Sequence, residues 1–242
     1  MSDLVDSIRE RYLHTLEEIT RSAQDAGRDP NQVKLVVVTK AQPVEVARAA
    51  IEAGARILGE NYPEEGVMKI QSLQDFSAVE WHMIGHVQSR KAQLVAENFN
   101  FMHSLDSLKL ARRLDRFCGE AGRTLRVFLE FNIGGEDSKS GWSASDETRW
   151  ASLLEELSAV IALPNLRVNG LMTMPPLGET AEFSRPYFQK LKRLQGYLAS
   201  QFPAVDFSEL SMGTSTDYKV AIEEGATMVR VGTAIVGPRQ YT

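Results

Sequence analysis

Short apolar runs alternate with longer amphipathic segments along most of the chain. The runs occupy residues 33–39, 56–59, 81–85, 101–105, 126–133, 168–174, 209–213 and 228–232. The first of them, from Val33 to its end at Thr39, is nearly continuous in β-branched residues, which suits a strand buried on both faces. Between the runs, apolar residues recur at helical spacing. Val44, Ala47 and Ile51 follow Pro43 and stop at Gly54, and similar patterning spans 107–122, 145–157, 179–202 and 217–224. Ahead of the first run, Leu4, Ile8, Tyr12, Leu16 and Ile19 share one face of a predicted amphipathic helix.

Eight strand-helix alternations favour a closed (β/α)8 barrel, with an open doubly wound sheet as the alternative. Composition supports this choice. A barrel takes about 250 residues as one domain, and the 242 residues here are 43% hydrophobic with no Pro-, Gly- or Ser-rich linker. We therefore expect a single domain over 1–242 with an extra N-terminal helix. The net charge of −5, without long runs of like charge, argues against nucleic-acid or membrane-surface binding. No apolar stretch reaches the ~20 residues that span a bilayer, and the charged N-terminus lacks a signal-type apolar core. A cytoplasmic protein is expected. Its lone cysteine, Cys118, allows no internal disulfide and reads as a buried helix residue.

In a barrel, function gathers at the C-terminal ends of the strands. Lys40 directly follows the first strand, where desolvation favours the neutral, nucleophilic amine; a lysine snorkelling to solvent is the plainer alternative. After the last two strands come Ser211-Met212-Gly213-Thr214-Ser215-Thr216-Asp217 and Val231-Gly232-Thr233-Ala234. Small residues and hydroxyls there suit a phosphate, although the first segment also reads as a helix cap. Arg230 shares a strand face with Gly232 and points either inward or outward. His82 and His86 straddle a strand end without an acidic partner motif, so no metal site is expected.

Taken together, Val37-Val38-Thr39-Lys40, Gly59-Glu60-Asn61, Trp81-His82-Met83-Ile84-Gly85, Gln88-Ser89-Arg90-Lys91, Ser138-Lys139-Ser140-Gly141, Gly170-Leu171-Met172-Thr173-Met174, Leu210-Ser211-Met212-Gly213 and Val229-Arg230-Val231-Gly232-Thr233 resemble the pyridoxal phosphate homeostasis proteins, the YggS/PROSC family. The resemblance implies an alanine-racemase-like barrel of fold type III that binds pyridoxal 5′-phosphate (PLP). It assigns Lys40 to the Schiff base, and Ser211, Ser215, Gly232 and Thr233 to the phosphate region. Arg230 falls near the pyridine nitrogen, with Asn61, His82, Ile84, Ser104 and Met212 around the ring, and Lys139 matches a second lysine of the family. Two positions depart from the family pattern: His86-Val87 replaces the usual proline and leucine, and Thr39 stands where serine is common.

The function so implied is a non-catalytic carrier or buffer of PLP in intracellular PLP homeostasis, with PLP-dependent apoenzymes as candidate recipients and a monomeric state. An amino-acid racemase using the same lysine is the main alternative. The dimerising β-domain that racemases append has no counterpart in the 242 residues. A cofactor-free Schiff-base aldolase is more remote.

Overall fold

The computed structural model describes residues 2–238. Eight parallel strands close into a barrel: β1 (Lys34–Val38), β2 (Ile57–Glu60), β3 (Glu80–Met83), β4 (Phe101–Leu105), β5 (Leu125–Asn132), β6 (Leu166–Met172), β7 (Glu209–Thr214) and β8 (Met228–Val231). Each pairs with its neighbour in sequence, and β1 pairs with β8 to complete the ring. The open sheet is thereby replaced by the closed form. All eight predicted strands are present, displaced by at most two residues at their ends.

The N-terminal helix α1 (Ser2–Asp25) precedes the barrel, and the strands are followed by α2 (Val44–Ala53), α3 (Pro63–Ser72), α4 (Ala92–Asn98), α5 (Leu108–Glu120), α6 (Leu154–Ile161), α7 (Arg185–Gln201), α8 (Tyr218–Glu223) and the short α9 (Thr233–Val236). The patterned segments 145–157 and 179–202 are not uniformly α-helical. Each opens with 3₁₀ turns, Glu147–Leu153 and Ala181–Ser184, the tighter winding common at helix starts. In the first, the Asp146 carboxylate accepts from Thr148 N–H at 3.0 Å and holds the tight turn. A two-residue strand, Trp142–Ser143, adds to the edge of β5.

Strand parity divides the apolar residues into two cores. One face of each strand packs on the helices in a large cluster that includes Cys118, whose thiol burial pushes up to about 11. The opposite face fills the barrel interior with Val36, Phe101, Phe128, Met172 and Met228. Lys34 pairs with Glu209 at 2.6 Å and Arg126 with Glu80 at 2.9 Å at the N-terminal ends of their strands. The polar groups of functional interest lie above this lower end. Among the described residues no helix is long and apolar enough to cross a membrane, and no cluster of three His, Cys, Asp or Glu side chains is placed to hold a metal ion.

Candidate functional site

A cavity of about 420 Å³ opens at the C-terminal ends of the strands. Of the residues singled out from sequence, Lys40, Asn61, Ile84, Ser215, Arg230, Gly232 and Thr233 line it. Arg230 points inward and is 4% exposed, which settles the ambiguity of its strand face.

Lys40 owes its place to a tightly held turn. The buried Lys69 ammonium donates to Thr39 O at 2.6 Å, to Glu60 Oε1 at 2.8 Å and to Glu65 Oε1 at 2.6 Å. Thr39 Oγ1 donates to the same Glu60 oxygen at 2.6 Å. Burial pushes the Glu60 carboxyl up, and the adjacent ammonium offsets only part of that effect. Immediately after Lys40, Ala41 has φ +53°, a left-handed conformation that is uncommon outside glycine. Gln42 N–H donates to Thr39 O at 3.2 Å and closes the turn. Lys40 therefore leaves the strand on a backbone fixed from beneath by a buried ion pair.

The opposite wall depends on a bend in β7. Its register with β8 shifts between Ser211 and Thr214, where Gly213 has φ +91°. A Cβ at Gly213 would lie 2.6 Å from that of Ala221, so the bend against α8 requires glycine. The bend turns Thr214 and Ser215 toward the cavity, where Ser215 Oγ accepts from Gly232 N–H at 3.2 Å. The two segments expected to hold a phosphate thus meet in space. Asp217 precedes α8 but makes no side-chain capping bond to it; its carboxylate instead accepts from Thr214 N–H at 2.7 Å and ties the turn together.

Five candidates lie outside the lining. Met212 faces the outer core, on the strand face opposite Ser211. Ser104 Oγ donates to Gly85 O at 2.6 Å and shapes the wall from behind. His82 and Ser211 are fully buried in the barrel interior beneath Arg230. Lys139 is also outside the lining, 4.0 Å from Glu136, yet its charge bears on Glu130.

Glu130 is the site residue that sequence reading missed. It lines the cavity, is 8% exposed, and its Oε2 has no hydrogen-bond partner. Burial, reinforced by Asp106, pushes its carboxyl up to about 7 against the pull of Arg230 and Lys139. Strand parity could have found it, because Phe128 faces inward and Glu130 lies two residues on. His86, a departure from the family pattern, also lines the cavity; its Nδ1 lies 2.8 Å from Asp106.

Comparison with known proteins places this architecture. Residues 12–240 match the model of the alanine racemase N-terminal domain. A pyridoxal phosphate homeostasis protein of Vibrio alginolyticus is 40% identical over 241 residues, covering 98% of this chain and 100% of the relative. The chain belongs to the pyridoxal phosphate homeostasis protein family. The family member from Escherichia coli strain K12 is 37% identical over 243 residues, covering 98% of this chain and 99% of the relative. PipY of Synechococcus elongatus PCC7942, solved with PLP bound, has a TM-score of 0.81 at 36% identity, covering 95% of this chain and 100% of that one. An alanine racemase of Clostridium difficile 630 shares the fold at 18% identity, with a TM-score of 0.69; the match covers 95% of this chain and 56% of the racemase.

Proposed function

We propose that this chain binds pyridoxal 5′-phosphate reversibly through a Schiff base to Lys40 and carries or buffers it in the cytoplasm, for delivery to PLP-dependent apoenzymes. The carrying observation is the cavity's donor set: Lys40 on one side, Ser215, Gly232 and Thr233 on another, and the buried Arg230 in the wall. Among the described residues no salt bridge joins Arg230 to a carboxylate, and Asp217 and Glu130 act on it only at longer range. Its charge is left for an anionic or electron-rich ligand, and the residues present fit a phosphorylated pyridine aldehyde. Bound PLP supplies the aldehyde that an amine converts to an imine.

The roles of the chain's own residues follow. Lys40 provides the amine, held by the Thr39 turn above Lys69. Ser215, Thr233 and the Gly232 backbone bind the phosphate, while Asn61 and Ile84 border the ring. Arg230 beside the ring nitrogen disfavours its protonation and weakens the ring as an electron sink, which suits retention over turnover. We read the protein as a non-catalytic monomer. The racemase alternative draws on Glu130, a cavity carboxyl poised near neutrality.

Absorbance during titration with PLP tests the binding. An imine band should appear in the wild type, and Lys40→Ala should lose both it and the borohydride-trapped adduct. Saturable, Lys40-dependent turnover of L- or D-amino acids would replace the carrier reading with the racemase one.

A further inference from the structure

Beneath the cavity, polar side chains cross the barrel interior in an unbroken hydrogen-bonded line. Arg230 Nη1 donates to Ser211 Oγ, which lies 2.8 Å from His103 Nδ1. His103 Nε2 is 2.9 Å from His82 Nδ1, and His82 Nε2 is 3.1 Å from Glu80 Oε2. Glu80 is shared with Arg126 at 2.9 Å at the barrel's lower end.

With both buried rings neutral, donor chemistry fixes the direction of every bond. A guanidinium only donates, so Ser211 Oγ accepts from it; the acceptor-only Glu80 carboxylate at the far end then orders the two neutral rings so that His103 Nδ1 accepts the Ser211 hydrogen. The His103 proton then sits on Nε2 and is donated to His82 Nδ1. His82 in turn carries its proton on Nε2 and donates it to Glu80, an acceptor-only carboxylate. Both rings are neutral in this arrangement. Burial pushes both imidazoles down, His103 well below its usual range, with His82 and Arg230 adding to the effect there. Phe101 stacks near His82 at 5.1 Å and Phe128 near His103 at 4.8 Å, so the line runs through an aromatic, low-dielectric interior. Hydrogen bonds aligned head to tail polarise one another there.

Stability alone does not call for this arrangement, since Val36, Met172 and Met228 fill the same interior with apolar groups. We propose that His103 and His82, anchored on Glu80, are positioning residues that orient the Arg230 guanidinium toward the cavity and partly offset its charge, setting how strongly it acts on the ring nitrogen of bound PLP. The remaining Arg230 contacts agree with a fixed orientation: Nη2 donates to Thr173 O at 3.1 Å and lies 2.9 Å from Met174 Sδ. The inference rests on the cofactor reading above, in which Arg230 neighbours the ring nitrogen.

Two measurements test it. In the cofactor-free protein, long-range nitrogen-proton NMR of the imidazoles should show both buried rings neutral with the proton on Nε2 at neutral pH. An Nδ1-protonated or charged ring at either position overturns the relay. In the loaded protein, His103→Phe should retain Lys40 trapping but shift the cofactor's absorption maximum and weaken its affinity by about tenfold, the scale of one lost neutral hydrogen bond. His103→Gln, able to accept from Ser211 and donate to His82, should restore the wild-type maximum and most of the affinity. Should His103→Phe fail to fold, Glu80→Gln at the partly open end decides, with a change in the same observables expected. Wild-type spectrum and affinity in the deciding variant overturn the positioning role. A wild type that takes up no PLP overturns the cofactor reading and this role with it, and is distinct from uptake that the variants leave unchanged.

Discussion

Lys69→Met should be among the most damaging single substitutions in the chain, although Lys69 is outside the cavity lining. Its side chain and that of Glu60 are both 0% exposed and 2.8 Å apart, with Glu65 at 2.6 Å. Methionine fills a similar volume, so the loss is electrostatic: Glu60, whose Oε2 already lacks a partner, is left as a buried carboxylate without its cation. Breaking a buried pair on one side costs about 3–5 kcal/mol. At about 2–4 °C per kcal/mol for a chain of this size, the melting temperature should fall by roughly 6–20 °C. The control is Lys69→Met with Glu60→Gln, which leaves only the part-exposed Glu65 without its cation and should recover at least half of the loss. Thermal unfolding by circular dichroism reads both. A melting temperature within about 2 °C of wild type for the single variant, under ~1 kcal/mol, would refute the account of the pair. A double variant worse than the single would refute it equally. Because Lys69 also holds Thr39 O, the surviving folded Lys69→Met should bind PLP more weakly than wild type.

Other expectations concern the cavity. Glu130 has a folded pKa of about 7 against an ordinary 4.5, so the folded state retains a proton that the unfolded chain releases, and stability falls as pH rises from 4.5 to 7. Glu130→Gln should therefore raise the melting temperature at pH 8 and change it little at pH 4; an equal gain at both values contradicts the shift. Ser215→Ala with Thr233→Ala should weaken PLP affinity about a hundredfold, at ~1.4 kcal/mol per hydroxyl, while leaving the melting temperature of the cofactor-free protein within a few degrees. Unchanged affinity in an equilibrium titration would move the phosphate elsewhere.

The barrel was legible because strands buried on both faces appear as apolar runs, and eight of them can be counted directly. Lys40 and the Ser215 and Gly232 segments were legible for a similar reason, since strand ends converge on one face of a barrel. Side-chain direction at the strand ends was harder. Met212 follows Ser211 by one residue and so faces the helices, and the bend at Gly213 that turns Ser215 inward leaves only a glycine as its trace. His82 and Ser211 carry polar chemistry that suggested ring or phosphate contacts, but their partners lie across the barrel. His103 meets Ser211 over a separation of 108 residues, a contact that only closure of the ring creates. Glu130 was passed over because its neighbours Phe128 and Phe131 make the segment look like plain core.

The central claim, PLP held covalently by Lys40 in this cavity, is tested most directly by incubating the protein with PLP, reducing with borohydride and mapping the modified residue by mass spectrometry. One dominant phosphopyridoxyl adduct on Lys40, absent in Lys40→Ala, is expected. A dominant adduct on Lys139 or another lysine, or no adduct above background, would contradict it.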